Sequence, residues 1–253
     1  MTDETQDFLD NLPQLEPGKT FQFRCHPGVN CFNACCSDLN LMLTPYDALR
    51  LRCALKRSSR EFVQAHAMVS AGQDLGFPLM QLRMLDDTRR SCPFVRPEGC
   101  SVYGDRPGAC RTYPLGRASM LDDQGELVER FFIVQEPHCN GFKEEAHWSS
   151  GEWLSDQGLE AYNEANDRYM RLMNRWKKMG RPLDQRQATM AFLALFQPDD
   201  FQRFIRDVKL FDRVEVDEAR QKRVLEDEEA ALEFGLDWLE LLLFGQSERL
   251  RKK

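Results

Sequence analysis

Nine cysteines stand at positions 25, 31, 35, 36, 53, 92, 100, 110 and 139, and none follows in a chain of 253 residues. Such one-sided crowding admits three explanations: a disulfide framework, small buried hydrophobes, or metal ligands. The opening Met1-Thr-Asp-Glu-Thr-Gln-Asp7 is acidic and lacks the basic and apolar regions of a secretory signal. No segment reaches the ~18 consecutive apolar residues that a membrane span needs. A cytoplasmic location is therefore expected, where thiols stay reduced and disulfides are rare. A chain this long, 42% apolar with 17 Phe and 4 Trp, also builds a core without covalent staples.

Packing is the expected role of Cys53. Thr44-Pro-Tyr-Asp-Ala-Leu-Arg-Leu-Arg-Cys-Ala-Leu55 reads as a helix, with Thr44 as N-cap, Pro45 in the first turn and Asp47 completing a capping box. Leu49 and Cys53 are four apart and share a face, which predicts burial.

The other eight, Cys25, Cys31, Cys35, Cys36, Cys92, Cys100, Cys110 and Cys139, are the candidate ligands. Several sit in turn chemistry: His26-Pro27-Gly28 follows Cys25, Pro93 follows Cys92, Gly99 precedes Cys100, and Pro107-Gly108 precede Cys110. Soft thiolates select zinc, copper(I) or iron–sulfur clusters. Zinc and iron–sulfur centres each usually take four protein ligands, so eight allows two centres, or one centre with four structural cysteines. Successive side chains point to opposite faces of a strand and ~100° apart on a helix, so Cys35 and Cys36 serve two centres, or one of them stands behind the other. The spacings match neither a zinc ribbon nor a ferredoxin run and do not name the metal. Four thiolates leave a net negative centre, which Arg24, Arg106, Arg111 and Arg117 are placed in sequence to offset. His26 and His138 each neighbour a candidate cysteine. Eight thiolates already suffice, so both are expected behind the ligands or at the surface.

The fold class expected is α+β, mostly α. Residues 1–20 read as an acidic arm, 21–150 as a loop-rich cysteine-cluster metal-binding domain, and 151–253 as a helical region. Helices are predicted over 44–56, ~59–70, 159–176, 184–196, from Asp199 or Asp200, and over 216–244. A strand is predicted from Pro78, and a hairpin joins 115–121 to 127–135. Net charge is −7, and basic residues form only short clusters such as Arg175, Lys177 and Lys178. No nucleic-acid partner is expected without a basic stripe, and no membrane partner.

The cysteine blocks carry a resemblance. Phe23-Arg-Cys-His-Pro-Gly-Val-Asn-Cys-Phe-Asn-Ala-Cys-Cys36, Ser91-Cys-Pro-Phe-Val95, Gly99-Cys-Ser-Val-Tyr-Gly-Asp-Arg-Pro-Gly-Ala-Cys-Arg-Thr-Tyr-Pro-Leu115 and Glu136-Pro-His-Cys-Asn-Gly141 resemble the YkgJ-like cysteine-cluster family over roughly residues 21–142. The opening departs from that family's CxxCxxCC pattern, with five and three residues in its gaps. The resemblance implies a zinc- or iron-chelating domain, with an iron–sulfur cluster (4Fe–4S among the forms) or zinc in a structural, redox or chelating role. Some relatives resemble flagellin lysine-N-methylases. That implies an alternative, an S-adenosylmethionine-dependent protein lysine methyltransferase with a protein substrate.

Overall fold

A computed structural model describes residues 13–72, 74–121, 124 and 127–253. In chain order its helices are α1 (Pro45–Ala54), α2 (Ser59–His66), α3 (Gly108–Thr112), α4 (Ser150–Asp156), α5 (Glu160–Lys177), α6 (Gln185–Phe196), α7 (Pro198–Asp207), α8 (Glu218–Glu226) and α9 (Glu228–Phe244). Its strands are β1 (Gln14–Leu15), β2 (Thr20–Gln22), β3 (Met42–Leu43), β4 (Ala67–Ala71), β5 (Pro78–Leu82), β6 (Val95–Arg96), β7 (Gly99–Cys100), β8 (Leu115–Leu121), β9 (Leu127–Ile133), β10 (His147–Ser149), β11 (Val214–Glu215) and β12 (Arg251–Lys252). The chain is α+β and mostly helical, as expected. It divides into two units that interleave in sequence: residues 1–39 with 84–163, and residues 40–83 with 164–253.

The first unit is built on an aromatic core. Phe21, Phe23, Leu115 and Trp153 are buried, with Tyr113, Phe131, Phe142, Trp148 and Cys139 packed on them. Their rings meet edge to face, with centroids 5.6 Å apart for Phe23 and Trp153 and 5.3 Å for Trp148 and Trp153. Both indoles keep their polar edge satisfied: Trp153 Nε1 donates to Thr112 O at 2.9 Å and Trp148 Nε1 to Phe23 O at 2.9 Å. The predicted hairpin forms as β8 and β9 in antiparallel register, Leu115 opposite Ile133. β1 adds to its edge, with Gln14 opposite Phe132. The expected arm thus contains strand at Gln14–Leu15 and again from Thr20, and its first 12 residues lie outside the described part. β2 pairs with β10, and β6 with β7.

The second unit is packed round α9, which touches α1, α6, α7 and α8. Phe234, Ala231 and Leu239 on α9 are fully buried, as are Ala191, Ala194 and Leu195 on α6. Gly235 allows the close approach: a Cβ there would lie 2.7 Å from Ala194 O. Asp237, also buried, is held between Arg168 at 2.8 Å and Arg220. A buried carboxylate needs such pairing. Its strands form a sheet of order β3-β5-β4 and a β11-β12 pair.

Four expectations change. The helix expected from a cap at Asp199 or Asp200 starts at Pro198, which sits in its first turn, and has no side-chain cap. The helix expected over ~59–70 ends at His66, and Ala67–Ala71 pairs with β5 instead. The long helix over 216–244 is two helices, because Asp227 adopts an extended backbone and its side chain caps α9 at Ala230 N. Cys53 is exposed: α1 turns Ala48, Leu49, Leu51 and Arg52 inward, and Arg52 pairs with Glu228.

Candidate metal centre

All eight candidate ligands lie in the first unit, whereas Cys53 lies in the second. No disulfide links any of the nine. Cys25, Cys35 and Cys110 are exposed and the other five half-buried.

Cys25 follows β2 on a strap anchored by Phe23 N to Ala146 O at 2.8 Å and Arg24 N to Gly141 O at 3.0 Å. Gly141 permits this, since a Cβ there would fall 2.6 Å from the Phe23 ring. The strap therefore runs beside the turn that carries Cys139. Cys31 joins the same neighbourhood, its Sγ accepting from Asn140 N at 3.1 Å. Residues 26–36 wind through successive turns, with Cys36 N donating to Asn33 O. Asn33 has a φ of 65° there, and its Nδ2 donates to Arg96 O at 2.9 Å. That bond holds the turn against the β6–β7 hairpin.

Cys92 lies antiparallel to Cys36, its N donating to Cys36 O at 2.9 Å, and Ser37 bridges Ser91. Cys92 O then accepts from Val95 N, and Val95 is the partner of Cys100 across the hairpin. Cys110 sits in α3. Its neighbour Arg111 donates through Nε to Arg106 O at 3.0 Å and through its Nη atoms to Gln157 O and Gly104 O. Arg106 bonds Tyr103 O and Gln157 Oε1 and stacks 3.8 Å from the Tyr103 ring centroid.

The thiols feel one another. Partial burial first, then the charges of Cys35, Cys31 and Cys139, push Cys25 up to about 11. The thiols of Cys35 and Cys36 share a hydrogen bond, which draws Cys35 down to about 7 against its burial and pushes Cys36 far up. Burial and the charges of Cys35, Cys92 and Cys110 raise Cys36 further. Cys92 is raised mainly by burial, with Cys100 contributing. Burial lowers Arg106, while the charges of Cys110 and Cys100 act the other way. Tyr113 is pushed well above its ordinary value by burial and by Cys139.

Residues 24–140 match the family described as CxxCxxCC, a "putative zinc- or iron-chelating domain". The cysteine segment is similar to that domain. That agrees with the resemblance to the YkgJ-like family. Neither the curated proteins nor the solved structures contain a match to the chain.

The matched family implies a zinc or iron ligand set, and the donors of this segment suit one in type and number. All are sulfur, the choice of zinc and iron–sulfur centres. One buried polar atom points the same way: Tyr113 Oη has no well-aligned partner, and the group it faces is the Cys139 thiol. A thiolate there would accept its hydrogen bond. Among the described residues no group of three or more His, Cys, Asp or Glu side chains is closed tightly enough to hold an ion as it stands. Closure therefore requires the sulfurs to draw together, and three of them are exposed, Cys25 on its strap, Cys35 in a turn and Cys110 on a short helix.

His26 is engaged elsewhere, and His138 is exposed. His26 Nε2 meets Glu144 Oε2 at 3.0 Å while its Nδ1 accepts from Gly28 N at 3.1 Å. Arg117 pairs with Glu129 at 2.6 Å across the β8–β9 hairpin. Of the four arginines expected to offset thiolate charge, Arg106 and Arg111 stand beside Cys110. Sequence reading overlooked Tyr113 and Asn140. A tyrosine three residues after Cys110 and an asparagine directly after Cys139 were the available signals.

Proposed function

We propose that this protein chelates zinc or iron, the iron as an iron–sulfur cluster, through Cys25, Cys31, Cys35, Cys36, Cys92, Cys100, Cys110 and Cys139. The observation that carries the reading is the gathering of these eight thiols into one unit, drawn from segments up to 114 positions apart, with Cys53 left in the other. Thiols pressed together without disulfides repel once ionised, and a bound cation turns that repulsion into attraction.

The bound metal would supply a compact positive charge or, as a cluster, an electron-accepting centre. The chain's own part is to hold and tune the thiolates. Asn140 N donates to Cys31 Sγ at 3.1 Å, Tyr113 Oη faces Cys139, and Arg106 lies near Cys110 and Cys100. Such donors withdraw charge from ligand sulfur and fix its direction. Cys139 packs on the aromatic core formed by Phe21, Phe23, Leu115 and Trp153.

Elemental analysis of protein purified anaerobically tests the reading. Zinc or iron should co-purify in amounts that fall when Cys110 or Cys35 becomes Ala, and iron with sulfide would colour the protein brown. Well-folded protein that neither carries nor takes up zinc or iron would refute it.

A further inference from the structure

β4 is the outer strand of the β3-β5-β4 sheet, and among the described residues no strand pairs with its far side. Gly72 N donates to Phe77 O at 2.8 Å and Arg83 N to His66 O at 2.8 Å, which fixes the phase of the ladder with β5. Bonded pairs alternate in an antiparallel ladder, so Met68 and Ser70 bond β5 while Val69 and Ala71 turn their N–H and C=O groups outward. The outward groups of Ala67 are engaged already, its N–H with Val63 O and its carbonyl with Arg83 Nη2 at 2.6 Å. Edge strands are ordinarily blunted by charge, proline or a bulge. Ala67-Met-Val-Ser-Ala71 carries no charge and no proline, and its register with β5 runs unbroken. Met68 and Val69 are each 44% exposed, on opposite faces of the sheet.

We infer that β4 is an interface for a second copy of this chain, pairing antiparallel with β4 of that copy about a two-fold axis at Ser70. In this register Val69 lies opposite Ala71 of the second copy, and the two exchange N–H···O bonds in both directions, using only groups that β5 leaves unused. Met68 comes opposite Gly72 of the second copy, where no side chain competes for the space, and Ser70 meets its own counterpart, small against small. Charge favours this occupant. The start of β4 carries His66 and the exposed Arg83 opposite it, and the turn beyond its end carries the exposed Asp74. The two-fold brings position 66 of each copy towards position 74 of the other, so a basic end meets an acidic end at both sides of the contact. Parallel pairing would set like ends together. The product is a continuous, closed sheet ordered β3-β5-β4-β4-β5-β3, with the symmetry commonest among soluble oligomers. The edge belongs to residues 40–83, in the unit that holds none of the eight candidate ligands, so the inference is independent of chelation.

Sedimentation equilibrium of the full chain tests this, with reductant present so that exposed thiols do not cross-link. The contact is short, so the unaltered protein should show a monomer–dimer equilibrium within reach of about 1 mM, the weak end of association. Ser70→Lys sets like charges directly opposite at the axis and should leave the protein monomeric. Val69→Pro removes only an outward N–H, a place where an edge strand accepts proline. It should also give a monomer, with far-ultraviolet dichroism unchanged. Asp74→Arg should weaken association roughly fivefold, and less at high salt, because two exposed charge contacts are reversed. An unaltered chain that stays monomeric to about 1 mM overturns the inference and leaves the edge to a strand of a different protein, and that measurement needs no variant to fold. A dimer untouched by both Ser70→Lys and Val69→Pro overturns it too, since the copies then meet elsewhere. Either result leaves metal chelation standing.

Discussion

Tyr113 shows what single side chains contribute to this site. Its hydroxyl is buried near the Cys139 thiol and the Glu136 backbone without an aligned partner, a costly position for its proton unless the thiol becomes a thiolate. Tyr113→Phe keeps the ring among Phe23 and its neighbours and removes only the donor. Metal affinity should fall roughly 10–100-fold, in line with other donors that stand behind metal ligands, as read by competition with a chelator, while far-ultraviolet dichroism stays unchanged. Cys53 gives the contrasting expectation. It is exposed in the second unit, with Glu228 Oε2 3.9 Å from its sulfur. Cys53→Ala should leave metal content intact and alter stability by no more than about 0.5 kcal/mol, the usual range for surface changes. Separating this cysteine from the other eight was possible from its place in a capped helix. Its exposure was not legible, because that depends on which face of α1 the distant α9 covers.

Among the elements, close approaches set the geometry. Gly141 keeps the Cys139 turn against the strap bearing Cys25, with a would-be Cβ 2.6 Å from the Phe23 ring. Gly141→Ala should push the two apart and weaken metal binding at Cys25 and Cys139 more than at Cys92 and Cys100. Thiol alkylation followed by mass spectrometry would show which sulfurs become reactive. Gly235 has the same task between α9 and α6, where the obstacle is the backbone carbonyl of Ala194. Ala would improve helix propensity by about 1 kcal/mol, but overpacking typically costs 1–3 kcal/mol. A fall in urea midpoint is expected for Gly235→Ala. Local patterns foretold much at this scale. The Thr44 capping box, the hairpin of β8 and β9, and α5 and α6 could be placed from spacing and caps. Less legible was the division at Asp227, since aspartate both tolerates an extended backbone and caps the next helix. Nor could spacing say which cysteines meet, because Asn33, Asn140 and Gly141 act across long stretches of chain.

At the level of the whole molecule, the two units have different sources of stability. The second rests on the α9 core and the buried Asp237 pairs, whereas the first has its cysteine segments on turns and short elements. Metal affinity is folding energy where the site does not pre-exist. Stripping the metal with a competing chelator should therefore speed amide hydrogen exchange in residues 23–39, 91–110 and 139–146 while α6 and α9 retain protection. Equal loss in α9 would show that metal stabilises both units alike. The described helices include none long and apolar enough to cross a membrane.

The ladder fragment at residues 36–38 and 90–92 has a wider consequence. Cys36 O with Cys92 N, the Ser37–Ser91 bridge and Asp38 N with Arg90 O hold together the two ends of a long excursion of the chain. The excursion is pinched at its neck, and the spacing of the Cys36 and Cys92 sulfurs is set by that pinch rather than by the length of what lies beyond it. The segment beyond the neck is not spare chain, since it carries α1, α2 and the β3-β5-β4 sheet of the second unit, and an ion clasping both donors would act as a removable rivet across the opening.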